Sequence, residues 1–178
     1  MPLKWALLAT VAATQTAHAA PTEIALTPST AQVTFTSYAL SLFPVGGHFT
    51  RFRGTLRVDP AHPEACAVSL KIEAASLIMA SPARTSEAIG PKILDAAAFP
   101  TLTYKGDCTG GQATGDLTLH GTTRTITLQT VRSAGQVAAS GNLLRQDYGI
   151  NGLPGLVGRT IRVGFTANLP PQLASLPK

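Results

Sequence analysis

The stretch from Gly115 to Leu128, GDLTLHGTTRTITL, constrains the fold more than any other part of the chain. Before the bend Gly115, Leu117 and Leu119 alternate with Asp116, Thr118 and His120. After it Ile126 and Leu128 alternate with Thr125 and Thr127. Period-two alternation in two arms rich in β-branched residues predicts a hairpin, with Gly121-Thr122 as its two-residue turn. That turn sets Leu117 opposite Ile126 and Gly115 opposite Leu128, so the apolar residues share one face. A one-residue slip would expose all of them. A hairpin alone is not stable in water, so the rest of the chain must supply more strands.

It does so repeatedly. Ala31–Leu40 sets Val33 and Phe35 against Thr34 and Thr36. In HFTRFRGTLRVDP, Phe52, Gly54, Leu56 and Val58 lie on one side and Arg51, Arg53, Thr55 and Arg57 on the other. Cys66–Ala74 turns Val68, Leu70 and Ile72 inward, and Thr101–Cys108 does the same with Leu102 and Tyr104. Val137–Asp147 follows with Ala139, Gly141 and Leu143, and Arg159–Leu169 with Ile161, Val163, Phe165 and Ala167. Residues 20–30 read as a lead-in, Leu42–Gly47 as a break and Gly149–Gly158 as a glycine-rich loop. Residues 76–99 lose the rhythm: Ser81 and Pro82 open a loop, and Ile89, Ile93, Leu94 and Ala97 fall on one side of one or two short helices within 84–97. Pro91 suits the first position of a helical turn.

The fold class is therefore all-β. Eight strands with mostly short links predict an antiparallel up-and-down barrel with one short helical segment, since closure removes exposed edges. A sandwich is the alternative. An eight-stranded barrel has room for one small ligand. Inward positions held by Gly54, Ala74, Ala113, Gly115, Ala139, Gly141 and Ala167 suggest a hollow interior, because a filled barrel packs bulky side chains there. The competing reading is that segment 84–97 plugs the space, or that small residues let strands bend.

The opening MPLKWALLATVAATQTAHA joins Lys4, an apolar run from Trp5 to Ala13 and the small-residue pattern Ala17-His18-Ala19. This predicts a signal peptide over 1–19, a β domain over 20–170 and a mobile tail over 171–178. The apolar run is too short to span a bilayer. Export places the domain in the periplasm, where disulfides form. Pairing the strand that begins at Cys66 with the one ending at Cys108 opposes Ile72 to Leu102 and the two cysteines to each other, which predicts a Cys66–Cys108 bridge. The formal charge of +5, one less without Lys4, comes without the aromatic-basic interleaving that nucleic-acid binding needs. It permits a transient attraction to anionic membrane surfaces.

Four segments in this order, GHFTRFRGTLRVDP, ILDAAAFPTLTYKG, GDLTLHGTTRTITL and LLRQDYGI, resemble the YceI-like family of exported, lipocalin-like proteins. The resemblance covers nearly all of the chain after the leader. It implies an antiparallel barrel whose apolar interior binds an isoprenoid chain, as in a quinone or polyprenyl lipid, with no cofactor required. Two positions depart from the family pattern. Arg84-Thr85 stands where Arg-Asp followed by His-Leu is common, and Met79 stands in place of a threonine.

No Gly-x-Ser-x-Gly elbow, phosphate loop or placed carboxylate pair occurs, and His48, His62 and His120 are scattered. The reading is a lipid carrier, store or scavenger rather than an enzyme. A filled-barrel interaction module and an enzyme acting on an isoprenoid are the alternatives. Expected lining residues are Phe35, Phe52 and Leu56 from the first strands, Leu70, Ile72 and Tyr104 from the middle, and Ile93 from the helical segment. Leu117, Leu119, Ile126 and Leu128 of the hairpin and Leu143, Ile161, Val163 and Phe165 complete them. With Ala134-Gly135 as a turn, Arg124 opposes Arg145 at inward parity. Two like charges there need Asp147 or a ligand head group between them.

Overall fold

The computed structural model describes residues 21–40, 42–133 and 135–174, so the predicted leader lies outside the described residues. Alternation becomes strand almost wherever it occurs. The strands are β1 (Thr22–Leu26), β2 (Ala31–Ala39), β3 (Phe43–Phe49), β4 (Phe52–Asp59), β5 (His62–Glu73), β6 (Leu77–Met79), β7 (Thr101–Thr109), β8 (Gln112–Leu119), β9 (Thr122–Ser133), β10 (Gln136–Leu144) and β11 (Thr160–Asn168). Among the described residues they form one antiparallel sheet of eleven strands, ordered β1-β4-β5-β7-β8-β9-β10-β11-β2-β3-β6. The sheet is strongly curled, in the manner of a half-barrel.

The expected count of eight is thus replaced by eleven. Two of the extra strands come from segments read as non-strand: β1 from the lead-in, and β3 from the glycine-containing break. In β3 the small residues allow close pairing with β2 and with β6, where Gly47 faces Phe35 and Met79. The third, β6, comes from the start of segment 76–99, expected as loop and helix, with a 3-10 turn over Ala74–Ser76 separating it from β5.

That split is also where the two flanks of the sheet meet. β3 runs into β4 through Thr50 and Arg51, and β5 runs into β6 through the 3-10 turn, so both chains pass from one flank to the other. The seam is stitched locally. The Thr50 N–H and hydroxyl both donate to the Ser76 carbonyl, at 3.1 and 2.9 Å, and the Glu73 N–H donates to Arg51 O at 3.0 Å. The Ser76 hydroxyl, nearly fully buried, donates to Arg51 O and Glu73 O. An exposed Arg51–Glu73 ion pair lies over it.

The founding hairpin forms with a corrected register. Its turn is His120-Gly121, both at positive φ (50° and 72°), a type I′ geometry whose twist matches the strands. Gly121 takes this conformation freely, and the Phe99 ring fills the place of a Cβ there. Leu117 therefore faces Arg124, Gly115 faces Ile126 and Ala113 faces Leu128. The shift from expectation is two residues, so every side chain keeps its face. Gly106 and Gly115 face each other across β7 and β8, and a Cβ on Gly115 would collide with the Lys105 carbonyl. These inward glycines serve close backbone approach, as strand bending requires, rather than marking empty space.

Within the excursion, α1 spans Pro82–Ile89. Ser81 and Pro82, read as loop, are its N-cap and first residue, with the Ser81 hydroxyl accepting from the Arg84 N–H. No helix forms around Pro91; residues 90–96 fold back on α1 by bonds such as Leu94 N–H to Ala88 O (3.0 Å). At the chain end, Pro171–Ala174 form a helical turn, α2, with Leu173 buried. This part of the expected mobile tail is therefore packed, while 175–178 lie outside the described residues.

Cys66 and Cys108 are directly opposed across β5 and β7, 4.7 Å apart at Cα, and joined as a disulfide. It closes a chain separation of 42 residues. Replacing both cysteines by alanine is expected to cost about 4 kcal/mol at most, the chain-entropy ceiling for such a loop. Denaturant unfolding of the oxidised protein and the variant measures it, and thiol titration of the unfolded oxidised protein should find none free.

Candidate functional site

The curled sheet encloses a cavity of about 480 Å³, within the range of small-molecule sites. Ten strands turn apolar side chains into it, β3 through Val45 and Phe49 and β6 through Leu77 and Met79. β2 gives Val33 and Phe35, β4 Leu56, β5 Val68, Leu70 and Ile72, and β7 Leu102 and Tyr104. β8 gives Leu117 and Leu119, β9 Ile126 and Leu128, β10 Leu143, and β11 Ile161, Val163 and Phe165. Ile93 and Leu94 cover it from the excursion. Of the lining residues expected from sequence, only Phe52 lies elsewhere. It is buried but borders a shallow outer hollow beside the seam, with Arg51, Arg53 and Lys71.

The cavity is elongated. One end lies against Cys66, Cys108, Ala113 and Val137, and the other against Tyr38, Leu40, Leu153, Leu156, Arg84 and Glu87. Strands such as β2 and β8 run its length for about six residues, or roughly 20 Å. Two of its polar groups are occupied: the Tyr104 hydroxyl donates to Ala113 O (3.2 Å) and the Ser37 hydroxyl to Thr160 O (3.5 Å). Small residues do line the deep end, as Ala113 and Ala139. There the lack of side-chain volume leaves room.

The mouth is built from the excursion and from the loop after β10. A 3-10 turn over Arg145–Tyr148 ends that strand, closed by Gly149. Residues 149–158 then lie over the opening, and the backbone of Lys92 packs against Gly152. Arg145 holds this loop. Its Nε donates to Gly158 O (3.1 Å), Nη1 to Ile150 O (2.9 Å) and Gly152 O (2.7 Å), and Nη2 to Val157 O (3.2 Å). The residue is 3% exposed, and burial lowers its pKa from the usual guanidinium value. The expected Arg124–Arg145 opposition does not form. The β9–β10 ladder ends at Gln129 and Ser140, and the 3-10 turn swings Arg145 away. Arg124 is exposed, its Nε donating to the Asp147 backbone carbonyl (3.3 Å). Ala134 of the expected turn lies outside the described residues.

Sequence reasoning missed Arg84 and Glu87. They lie one helical turn apart on α1, so both reach the mouth. Their signal in the chain is the start Ser81-Pro82, an N-cap and first helical residue.

The histidines sit apart. His48 pairs with Thr34 and Ile78 in the sheet, His62 bonds Asp59 (3.1 Å), and His120 packs on Phe99, with ring centroids 4.3 Å apart. Among the described residues no three of His, Cys, Asp and Glu are grouped to hold a metal.

Residues 25–169 match the YceI-like domain. A UPF0312 protein of Pseudomonas syringae pathovar tomato is 30% identical over 138 residues, 68% of this chain and 71% of that protein. Among solved structures, Burkholderia cenocepacia BcnA superposes with a TM-score of 0.68 at 19% identity, covering 79% of this chain and 96% of BcnA. A polyisoprenoid binding domain from Saccharophagus degradans superposes with a TM-score of 0.60 at 16% identity, covering 83% and 98%. A Campylobacter jejuni YCEI protein does so with 0.58 at 19%, covering 70% and 84%.

Two outcomes follow from the mouth and the lining. Arg145→Gln should destabilise by about 2–4 kcal/mol, since it strips charge-assisted bonds from buried carbonyls. Arg124→Gln should stay within about 1 kcal/mol; urea unfolding of both variants checks the contrast. Burial, ahead of nearby carboxylates, raises the pKa of Tyr104 and Tyr148 above the ordinary 10.0. The unfolded chain then loses these protons first, so stability should hold up to about pH 10 and fall as pH rises through the folded values. Unfolding midpoints across the alkaline range test this, and Tyr104→Phe should reduce the slope.

Proposed function

The chain belongs to the YceI-like family, and we propose that it holds the apolar chain of an isoprenoid or other long-chain amphiphilic lipid inside the curled sheet, as carrier, store or scavenger. One observation carries this reading: the cavity is long, narrow and almost wholly apolar from the Cys66–Cys108 end to the mouth. Each CH₂ withdrawn from water into such a space contributes roughly 0.8 kcal/mol. Some ten carbons therefore outweigh ordinary binding costs. The Saccharophagus degradans domain that shares the fold is a polyisoprenoid binding domain, which supports an isoprenoid quinone or polyprenyl lipid as the ligand.

In this reading the chain end lies among Ala113, Val137 and the disulfide, and the head group stays at the mouth. Arg145, already bonded to four carbonyls, positions the loop over residues 149–158. Arg84 is the cation placed to meet a head group, through hydrogen bonds to a quinone oxygen or a phosphate. The segment around Ile93 acts as a lid. The protein binds and releases its ligand without chemical change. The leader-like start and the disulfide support action in the periplasm.

Native mass spectrometry of the purified protein, before and after solvent extraction, tests this. A lipid adduct lost on extraction and regained with an isoprenoid quinone is the expected result; no adduct and no uptake would sink the reading. Ile93→Asp should weaken retention about ten-fold or more, because it sets a charge against the apolar chain. Lys105→Ala, on the outer face, should leave retention unchanged.

A further inference from the structure

The mouth carries an apolar surface that the folded chain leaves uncovered. Among the described residues, five of the eight large hydrophobic side chains exposed to solvent gather there: Tyr38 (49%), Leu40 (53%), Leu42 (74%), Phe43 (62%) and Leu156 (54%). Four come from the tip of the β2–β3 hairpin and the fifth from the loop over the opening. Backbone contacts bind the two into one surface. The Leu40 N–H donates to Leu156 O (2.9 Å), the Gly158 N–H donates to Tyr38 O (2.7 Å), and Ala39 bridges to Val157.

We propose that this collar docks the mouth onto the surface of a lipid bilayer, so that a ligand chain passes between membrane and cavity without crossing water. The inference rests on the reading that the cavity takes the apolar chain of a lipid. Three observations point to a bilayer. The collar is continuous with the cavity, because Tyr38, Leu40 and Leu156 line the opening while Leu42 and Phe43 stand outside it. From Val33 to Thr50 the hairpin carries no Asp, Glu, Lys or Arg, whereas Arg84 and Arg159 outnumber Glu87 at the same end and the chain has a pI of about 9.6. Apolar tips flanked by cations suit an interface of anionic head groups over acyl chains. Finally, Leu40 adopts positive φ (50°), where Asn or Gly would be easier. Its half-exposed side chain therefore stands at a strained position where the cavity opens outward.

A second copy fits less well. Five side chains about half exposed form a patch on the order of 500 Å², short of the about 800 Å² per partner of a stable pair. Facing two mouths together would also close both entrances.

The test uses vesicles of phosphatidylethanolamine and phosphatidylglycerol in equal parts, with an isoprenoid quinone as the probe. The double variant Leu42→Ser/Phe43→Ser alters only residues outside the cavity lining, so it should bind quinone in solution as the wild type does. Its transfer of quinone to or from vesicles should slow about ten-fold or more, with loss of co-flotation, as removal of two inserted apolar side chains implies. Val131→Ser, equally exposed (65%) but on β9, should change neither. Phe43→Trp should keep the transfer rate and shift its emission to the blue on vesicles. Trp5 is the sole tryptophan of the chain and lies in the predicted leader, so this indole reports alone. Wild-type transfer rates in the double variant would overturn the docking, as would a wild-type dimer that the double variant abolishes without change in transfer. Absence of quinone binding by the wild type would instead sink the cavity reading. Flotation of the empty protein, present or absent, still decides for or against docking.

Discussion

An antiparallel sheet with one apolar face must bury that face against something. This chain provides little to bury it against: α1 has eight residues and α2 only four. The sheet therefore covers itself by curling. Everything else in the structure follows from how that curl is achieved. The Gly106–Gly115 contact lets β7 and β8 approach where Cβ atoms would collide. The paired bends at Thr50–Arg51 and Ala74–Ser76 carry two chains from one flank to the other. The buried Ser76 hydroxyl is itself paired at the bend, donating to the Arg51 and Glu73 carbonyls, as burial demands.

Curling does not fill the interior. Side chains of Leu, Ile, Val and Phe converge from ten strands, yet Ala113 and Ala139 contribute too little volume at the deep end to meet across it. The void is lined by mostly apolar atoms and bordered at its deep end by the disulfide and Ala113. A water-filled channel would need polar lining, whereas this space is suited to hydrocarbon. Function in this reading is a packing deficit, which a ligand chain makes good.

The mouth follows different rules from the walls. Its loops have no ladder to hold them, and a buried guanidinium takes that part. Arg145 gathers four carbonyls from residues 150–158, and α1 with the segment behind it closes the opposite side. Where the walls hide apolar side chains, the rim presents them. Tyr38, Leu42 and Phe43 stand in water beside an opening that leads into a dry interior.

Much of this was legible in the chain itself. Side-chain parity is a local property of a strand, so the inward set from Phe35 through Phe165 could be read from period-two alternation. It survived the two-residue error in the hairpin register because an even shift preserves faces. The cysteine pair was legible for the same reason, since opposed residues of like parity meet. The family resemblance rested on four segments in order and held. The strand count, the seam and the fate of Arg145 were not legible. The lead-in and the break became β1 and β3 because neighbouring strands offered unpaired edges, which is a non-local fact. Arg124 and Arg145 shared a face only by extending a ladder that ends at Ser140. Local periodicity thus determined which residues face the interior. Only the tertiary structure decided how far they stand apart, and so whether the interior is full or hollow, because that distance depends on contacts between strands remote in sequence.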